Sequence, residues 1–142
     1  MRSASLLRLF SDFGMTNPLA LYIHWPFCVS KCPYCDFNSH VRETTDQAAW
    51  LDALLADMAY EAGQIGGRPL TSIFFGGGTP SLLSGDQMQR IMRALFERFD
   101  IRPNAEISME CNPGTVTPEK LTAYREAGIN RLSIGLQSTH DV

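Results

Sequence analysis

Residues 70–80 read LTSIFFGGGTP, a short apolar and β-branched run that passes directly into three glycines, a threonine and a proline. The run predicts a β-strand over residues 70–75, because such residues favour strands and the glycines and proline end it. An amphipathic helix is predicted next, since Ser84 can cap it and Gln87 lies three residues further on. Its apolar face comprises Met88, Ile91, Met92, Leu95, Phe96 and Phe99.

The same alternation of strand and helix extends to both sides of this stretch. Further strands are predicted over residues 19–24, 105–109 and 131–136. One helix is predicted from about residue 45 to the glycines at 63–67, and another from Thr117–Pro118 to Gly128. The order β-α-β-α-β-α-β predicts an α/β fold built on a parallel sheet. A doubly wound sheet and a TIM-like barrel are both compatible with this order.

The two ends of the chain carry separate expectations. Residues 1–16 are predicted to be a leader without fixed structure, although Arg2, Arg8 and the apolar residues near them also suit a transit peptide. The last residue, Val142, comes six residues after the fourth predicted strand. Residues 17–142 are therefore expected to be the N-terminal portion of a larger domain, and to aggregate when expressed alone because four parallel strands cannot close a barrel.

Composition restricts the class of protein and its partners. The chain has 142 residues, of which 44% are hydrophobic and 19% charged, and a formal net charge of −3. This balance gives no electrostatic reason to expect a nucleic acid as partner. Apolar runs are all shorter than the roughly 20 residues that span a bilayer, so no integral membrane segment is expected.

Three of the four cysteines lie within CVSKCPYC, residues 28–35. The CxxxCxxC spacing of Cys28, Cys32 and Cys35 suits three ligands of a [4Fe–4S] cluster whose fourth iron has no protein ligand. A structural zinc site is the alternative, and it requires a fourth ligand such as His24 or His40. Buried structural cysteines are a third possibility, against which Lys31 and Pro33 indicate an exposed loop. Metal binding requires free thiols and therefore a reducing compartment.

Other residues suited to ligand binding follow the remaining predicted strands. Gly77, Gly78 and Thr79 come after the second, Glu110 after the third and Gln137 after the fourth. Taken singly, these are a tight turn, a solvated acid and a polar surface residue. Together with the cysteines, they place every candidate at the carboxyl end of a parallel strand, which is where α/β barrels bind ligands. Strand alternation predicts that Cys111 points away from Glu110 and is buried rather than a ligand.

The segment YIHWPFCVSKCPYCDFNSH, residues 22–40, resembles the cluster-binding segment of radical SAM enzymes of the coproporphyrinogen III dehydrogenase group. This group includes oxygen-independent coproporphyrinogen III oxidases and HemW-type heme chaperones. The resemblance extends from about residue 18 to residue 138. It implies a partial TIM barrel in which Cys28, Cys32 and Cys35 hold a [4Fe–4S] cluster. In such proteins the cluster binds S-adenosylmethionine and cleaves it to a 5′-deoxyadenosyl radical.

The resemblance also implies which residues contact S-adenosylmethionine. The matching positions are Tyr22, Tyr34, Gly77, Gly78, Thr79, Glu110 and Gln137. Any residues that contact heme are expected beyond Val142.

Phe37 distinguishes the two subgroups. The oxidases resemble CxxxCxxCxC, with a further cysteine where this chain has Phe37, whereas CDFNSH is similar to the HemW-type chaperones. The chain is therefore expected to serve a chaperone that binds heme and delivers it to hemoproteins. The alternative is an oxidase acting on coproporphyrinogen III, and a zinc-binding structural module is a more remote one. A cytoplasmic location is expected, or a mitochondrial one if the leader is a transit peptide.

Overall fold

A computed structural model describes residues 17–41 and 46–140 of the chain. The strands are β1 (Leu19–Trp25), β2 (Phe27–Cys28), β3 (His40–Val41), β4 (Leu70–Gly77), β5 (Ile101–Cys111) and β6 (Arg131–Ile134). The helices are α1 (Gln47–Gln64), α2 (Gly85–Arg98) and α3 (Pro118–Ala127). No helix in these two ranges is long and apolar enough to cross a bilayer. The predicted leader, residues 1–16, lies outside the described residues.

The four longer strands form one parallel sheet in the order β1-β4-β5-β6. Each new strand is added on the same side of the previous one. A doubly wound sheet reverses direction at a switch point, whereas a barrel adds its strands in sequence. The described strands therefore follow the barrel arrangement, and the prediction of an α/β fold with a parallel sheet is confirmed.

The two faces of the sheet differ in polarity. Ile23, Phe75 and Met109 are neighbours across three strands and are buried on one face, where the helices pack. The opposite face carries His24 and Glu110, at the ends of β1 and β5. Because side chains alternate between faces, this second face corresponds to the inside of a barrel. The core of the described chain thus lies between the sheet and the helices.

The helix boundaries follow the capping residues that the sequence predicts. The Ser84 side chain accepts a hydrogen bond from the Gln87 N–H, and the Gln87 side chain accepts one from the Ser84 N–H, which completes a capping box at α2. Thr117 caps α3, and Gly128 ends it in the left-handed conformation. These caps set where α2 and α3 begin and where α3 ends.

The structure differs from the sequence-based expectation at several places. Strand β4 continues through two of the glycines. Strand β5 begins four residues earlier than predicted, at Ile101, and it accommodates Pro103 because its pairing with β4 is irregular there. Strand β6 ends two residues early, at Ile134. Phe96, placed on the buried face of α2, is 54% exposed, since it lies toward Gly128 at the margin of the helix layer.

The Asn130 side chain extends the hydrogen-bond ladder between β5 and β6. Its Oδ1 accepts a hydrogen bond from the Ile107 N–H at 2.8 Å, and its Nδ2 donates to the Ala105 carbonyl at 2.9 Å. Its own N–H donates to the Ile107 carbonyl. Ala105 and Ile107 are buried, so their backbone groups depend on these bonds.

Replacing Asn130 with Ala should therefore lower the free energy of unfolding by about 1–3 kcal/mol, because two buried backbone groups lose their partners. Chemical denaturation of the complete gene product measures the loss. Asn104→Ala, the same substitution at an exposed position of β5, is the control and should stay within about 0.5 kcal/mol of wild type. Equal effects of the two substitutions would contradict the assigned role.

Candidate functional site

The cysteine loop is closed at its base by two short strands. Phe27 and Cys28 of β2 pair in parallel with His40 and Val41 of β3, and the His40 N–H donates to the Pro26 carbonyl at 2.7 Å. The chain between them is therefore a compact loop with neighbouring ends. Cys28, Cys32 and Cys35 are free and half-buried within it, and the Cys35 N–H donates to the Cys32 carbonyl at 3.0 Å.

The glycine segment at the end of β4 packs directly on the base of this loop. The Gly78 N–H donates to the Trp25 carbonyl at 2.6 Å, and the Thr79 N–H donates to the Phe27 carbonyl at 2.8 Å. A Cβ atom on Gly78 would lie 2.7 Å from the Phe27 carbonyl oxygen. Only glycine permits this approach of two backbones, so the tight turn here has a specific structural cause.

Two side-chain contacts connect the cysteine loop, the glycine segment and the end of β5. The Thr79 hydroxyl donates to Cys28 Sγ at 3.4 Å. The Gly77 N–H donates to Glu110 Oε2 at 3.3 Å. The cysteine loop, the end of β4 and the end of β5 are thereby joined at one edge of the sheet.

A cavity of about 470 Å³ opens between these loops, at the carboxyl edge of the sheet. All of the predicted site residues except Tyr22 line it: Cys28, Cys32, Tyr34, Cys35, Gly77, Gly78, Thr79, Glu110 and Gln137. Its volume falls in the range of small-molecule sites. Residues that are far apart in the sequence thus meet where neighbouring strands end.

Tyr22 lies outside this cavity. It is on the inner face of β1, two residues before His24, and its ring stacks on Phe74 with centroids 6.0 Å apart. Its hydroxyl donates to His24 Nδ1 at 3.4 Å. Burial raises the pKa of the Tyr22 phenol, and the charge of Glu110 raises it further to a smaller extent. Tyr22 is thus near Glu110, although it does not line the cavity.

The two histidines proposed as a fourth zinc ligand are both absent from the cavity wall. His24 Nε2 donates to the Asn38 carbonyl at 3.0 Å, and a Cβ on Gly77 would lie 2.6 Å from the His24 ring. His40 is exposed in β3. Within residues 17–41 and 46–140, no three or more His, Cys, Asp or Glu side chains lie close enough together to bind a single metal ion.

Gln137 closes the far side of the cavity with unusual backbone geometry. Its φ is +67°, a left-handed conformation that it shares with no other non-glycine residue among those described. Its side chain folds back toward Gly135, whose N–H donates to the Cys111 carbonyl at 3.1 Å. Left-handed non-glycine residues cost free energy and are frequent at functional sites.

Cys111 differs from the other three cysteines. Its side chain is only 5% exposed, as strand alternation predicts. Burial raises the pKa of the Cys111 thiol to about 11, so the thiol is protonated at neutral pH. Cys111 and Phe37 both line the cavity, and Phe37 is 63% exposed.

The three loop cysteines suit an iron–sulfur cluster by their placement. They are half-buried on one wall of an open cavity, and each cysteine of a cluster binds a different iron, so that the sulfurs need not meet at one atom. A hydroxyl donor to one sulfur, as from Thr79, is a feature found around such clusters. The opposite wall offers backbone groups of the glycine segment and the Glu110 carboxylate to a small polar ligand.

The sequence analysis missed a group of residues behind the cavity. Ser81, Lys120 and Tyr124 connect the loops after β4 and β5 to helix α3. Lys120 and Tyr124 lie four residues apart and therefore share a helix face, but a lysine and a tyrosine at this spacing are typical of ordinary exposed surface. No signal in the sequence alone identified their acceptors.

Comparisons with known proteins relate the chain to one superfamily and to several curated proteins. The radical SAM superfamily model matches residues 22–142. The heme chaperone HemW of Escherichia coli K12 is 48% identical over 122 residues, which are 85% of this chain and 32% of that protein. HemW of Haemophilus influenzae is 45% identical over 129 residues, 87% of this chain and 34% of that protein. The chain thus spans about a third of the length of these curated relatives.

A solved structure is similar in fold and in sequence. The structure of coproporphyrinogen III oxidase (HemN) from Escherichia coli, described as a radical SAM enzyme, superposes with a TM-score of 0.82 at 34% identity. The match covers 99% of this chain and 32% of that chain.

The four cysteines should differ in reactivity in the metal-free protein. Alkylation of the native complete gene product with iodoacetamide should modify Cys28, Cys32 and Cys35, while Cys111 reacts about tenfold or more slowly because it is buried and protonated. Mass spectrometry of the individual peptides measures the rates. The denatured protein, in which all four should react alike, is the control, and fast native labelling of Cys111 would contradict the structure.

Proposed function

The chain belongs to the radical SAM superfamily, and from this we propose that its cavity binds a [4Fe–4S] cluster and S-adenosylmethionine within a heme chaperone. The observation that carries the proposal is the convergence of three free cysteines, a glycine segment and a carboxylate on one cavity at the carboxyl edge of the sheet. Residues 17–142 are proposed to form the N-terminal portion of the core domain.

Cys28, Cys32 and Cys35 are the proposed cluster ligands. When bound, the cluster supplies the single electron with which S-adenosylmethionine is cleaved. Thr79 donates to the sulfur of Cys28, and such a bond stabilises the more negatively charged sulfur. Tyr34 lies between two of the proposed ligands in the sequence and lines the cavity. All four cysteines are free, which supports a reducing compartment such as the cytoplasm.

The remaining cavity residues are proposed to bind the amino-acid part of S-adenosylmethionine. Gly77 and Gly78 line the cavity and are proposed to offer their backbone groups to the ligand. A side chain at either position would collide with β1 or with the Pro26–Phe27 backbone. Glu110 is oriented by the Gly77 N–H and offers its carboxylate to an ammonium group. Gln137 closes the opposite side with its amide. Tyr22 is proposed to assist from outside the cavity, through its proximity to Glu110.

Heme delivery is the proposed activity of the complete protein. The identity to HemW chaperones reaches 48%, and the position at which the resemblance places a fourth cysteine in the oxidases is the exposed Phe37. A phenyl ring cannot replace a thiol in hydrogen bonding or in radical chemistry. The second candidate, oxidation of coproporphyrinogen III, is favoured by the structural similarity to HemN.

Substitution of the cysteines tests the cofactor assignment. After anaerobic reconstitution, the complete gene product should contain about four iron atoms and show a brown iron–sulfur absorption. Cys28→Ala, Cys32→Ala and Cys35→Ala should each lose most of this iron. Cys111→Ala is the matched control and should retain it, because Cys111 belongs to β5 and not to the cysteine loop, and its side chain is buried. Colourless protein with one equivalent of zinc would contradict the proposal.

Two assays in parallel separate chaperone from oxidase. Titration with heme, followed by the shift of the Soret band, should show saturable binding to the complete gene product. Incubation with coproporphyrinogen III, S-adenosylmethionine and a reductant should leave the porphyrinogen unchanged. Turnover of coproporphyrinogen without heme binding would instead favour the oxidase.

A further inference from the structure

The loop after β4 is fastened to the loop after β5 through Ser81. Ser81 is fully buried in the 3-10 turn Pro80–Leu82, directly behind the glycine segment. Its hydroxyl lies 2.5 Å from the Thr115 hydroxyl and accepts a hydrogen bond from the Asn112 N–H at 3.0 Å. The Thr115 hydroxyl donates to the Asn112 carbonyl at 3.0 Å, so its single proton is used and Ser81 is the donor between the two hydroxyls.

Helix α3 holds both loops through two side chains on one face. Lys120 Nζ donates to the Ser81 carbonyl at 2.5 Å and to the Thr115 carbonyl at 3.1 Å. The Tyr124 hydroxyl contacts the carbonyls of Ser81 and Leu83. The Tyr124 hydroxyl has one proton, and the shorter of its two contacts is to Leu83. The Lys120 ammonium bridges one loop to the other through Ser81 and Thr115. We refer to Ser81, Thr115, Lys120 and Tyr124 as the loop clamp.

The loop clamp costs free energy that contacts serving only to stabilise the fold would not require. Tyr124 is 1% exposed, and burial lowers the pKa of Lys120 while the neighbouring Cys111 has the opposite effect. Burying part of an ammonium costs free energy that an apolar side chain would not require. The contacts are also directed at loop carbonyls, and both loops lead directly from the cavity wall. These features favour a role in shaping the cavity.

We propose that Lys120 and Tyr124 are positioning residues for the S-adenosylmethionine site. They hold the glycine segment and the loop after Glu110 at the separation that the ligand requires. Both side chains stand behind the cavity and do not line it. The inference rests on the proposed function, because it assumes that the cavity binds S-adenosylmethionine.

The test measures S-adenosylmethionine affinity in the reconstituted complete gene product. Titration of the reduced cluster with S-adenosylmethionine, followed by the change in its electron paramagnetic resonance spectrum, gives the dissociation constant. Lys120→Met keeps the aliphatic stem and removes the ammonium, and Tyr124→Phe removes one hydroxyl. Each should weaken binding about tenfold, the effect of losing a hydrogen bond worth roughly 1.4 kcal/mol, while iron content stays at the wild-type level.

Matched variants separate positioning from a general effect on the fold. Lys120→Arg can still donate to both carbonyls and should restore the affinity to within about threefold of wild type. Arg125→Met makes the same charge change at an exposed position of α3, and Tyr60→Phe removes an exposed hydroxyl from α1; both should bind normally. Thermal unfolding of every variant is measured alongside.

Three results would overturn the inference. Unchanged affinity in both Lys120→Met and Tyr124→Phe would show that the loop clamp does not shape the site. Loss of iron content in parallel with affinity would assign the two residues a merely structural role. A wild-type protein whose reduced cluster shows no response to S-adenosylmethionine would instead refute the proposed function on which the inference rests.

Discussion

The close approach of the Gly78 backbone to Trp25 and Phe27 is the contact on which the site depends. The main-chain bonds formed there by Gly78 and Thr79 continue the β1–β4 ladder past the point where Pro26 interrupts it. They bring the end of β4 against the base of the cysteine loop, which places Thr79 next to Cys28 and orients Gly77 toward Glu110. A side chain at residue 78 would push the two backbones apart and separate the walls of the cavity.

Much of the fold was predictable because its determinants are local. A few consecutive residues are enough to recognise each helix cap: the capping box at Ser84, the cap at Thr117 and the left-handed Gly128. Helices α2 and α3 begin, and α3 ends, where these residues lie. The strand order was not predictable from periodicity, since a barrel and a doubly wound sheet share the same alternation; only the pairing of β1-β4-β5-β6 distinguishes them. The start of β5 could not be predicted, because Pro103 lies within the strand and proline is normally excluded from strand interiors.

The site was predictable to the extent that it consists of strand ends. Parallel strands bring their carboxyl ends to one edge, and this rule gathered Glu110 and Gln137 beside the cysteines without knowledge of the contacts. Tyr22 fell outside the wall because it precedes the end of β1 by three residues and lies lower on the inner face. Lys120 and Tyr124 were missed because their side chains donate to backbone carbonyls, which no sequence pattern identifies.

The closed base of the cysteine loop also has a consequence for the order of assembly. Its three thiols are separated by only a few residues, so the loss of chain entropy on gathering them is small. The cavity, in contrast, needs Gln137 from the far end of the described chain, and such distant contacts form late in folding. A nascent chain can therefore present the three thiols that are proposed to bind iron before the cavity wall exists. Assembly of the proposed cluster and binding of the proposed S-adenosylmethionine are then separable events in time.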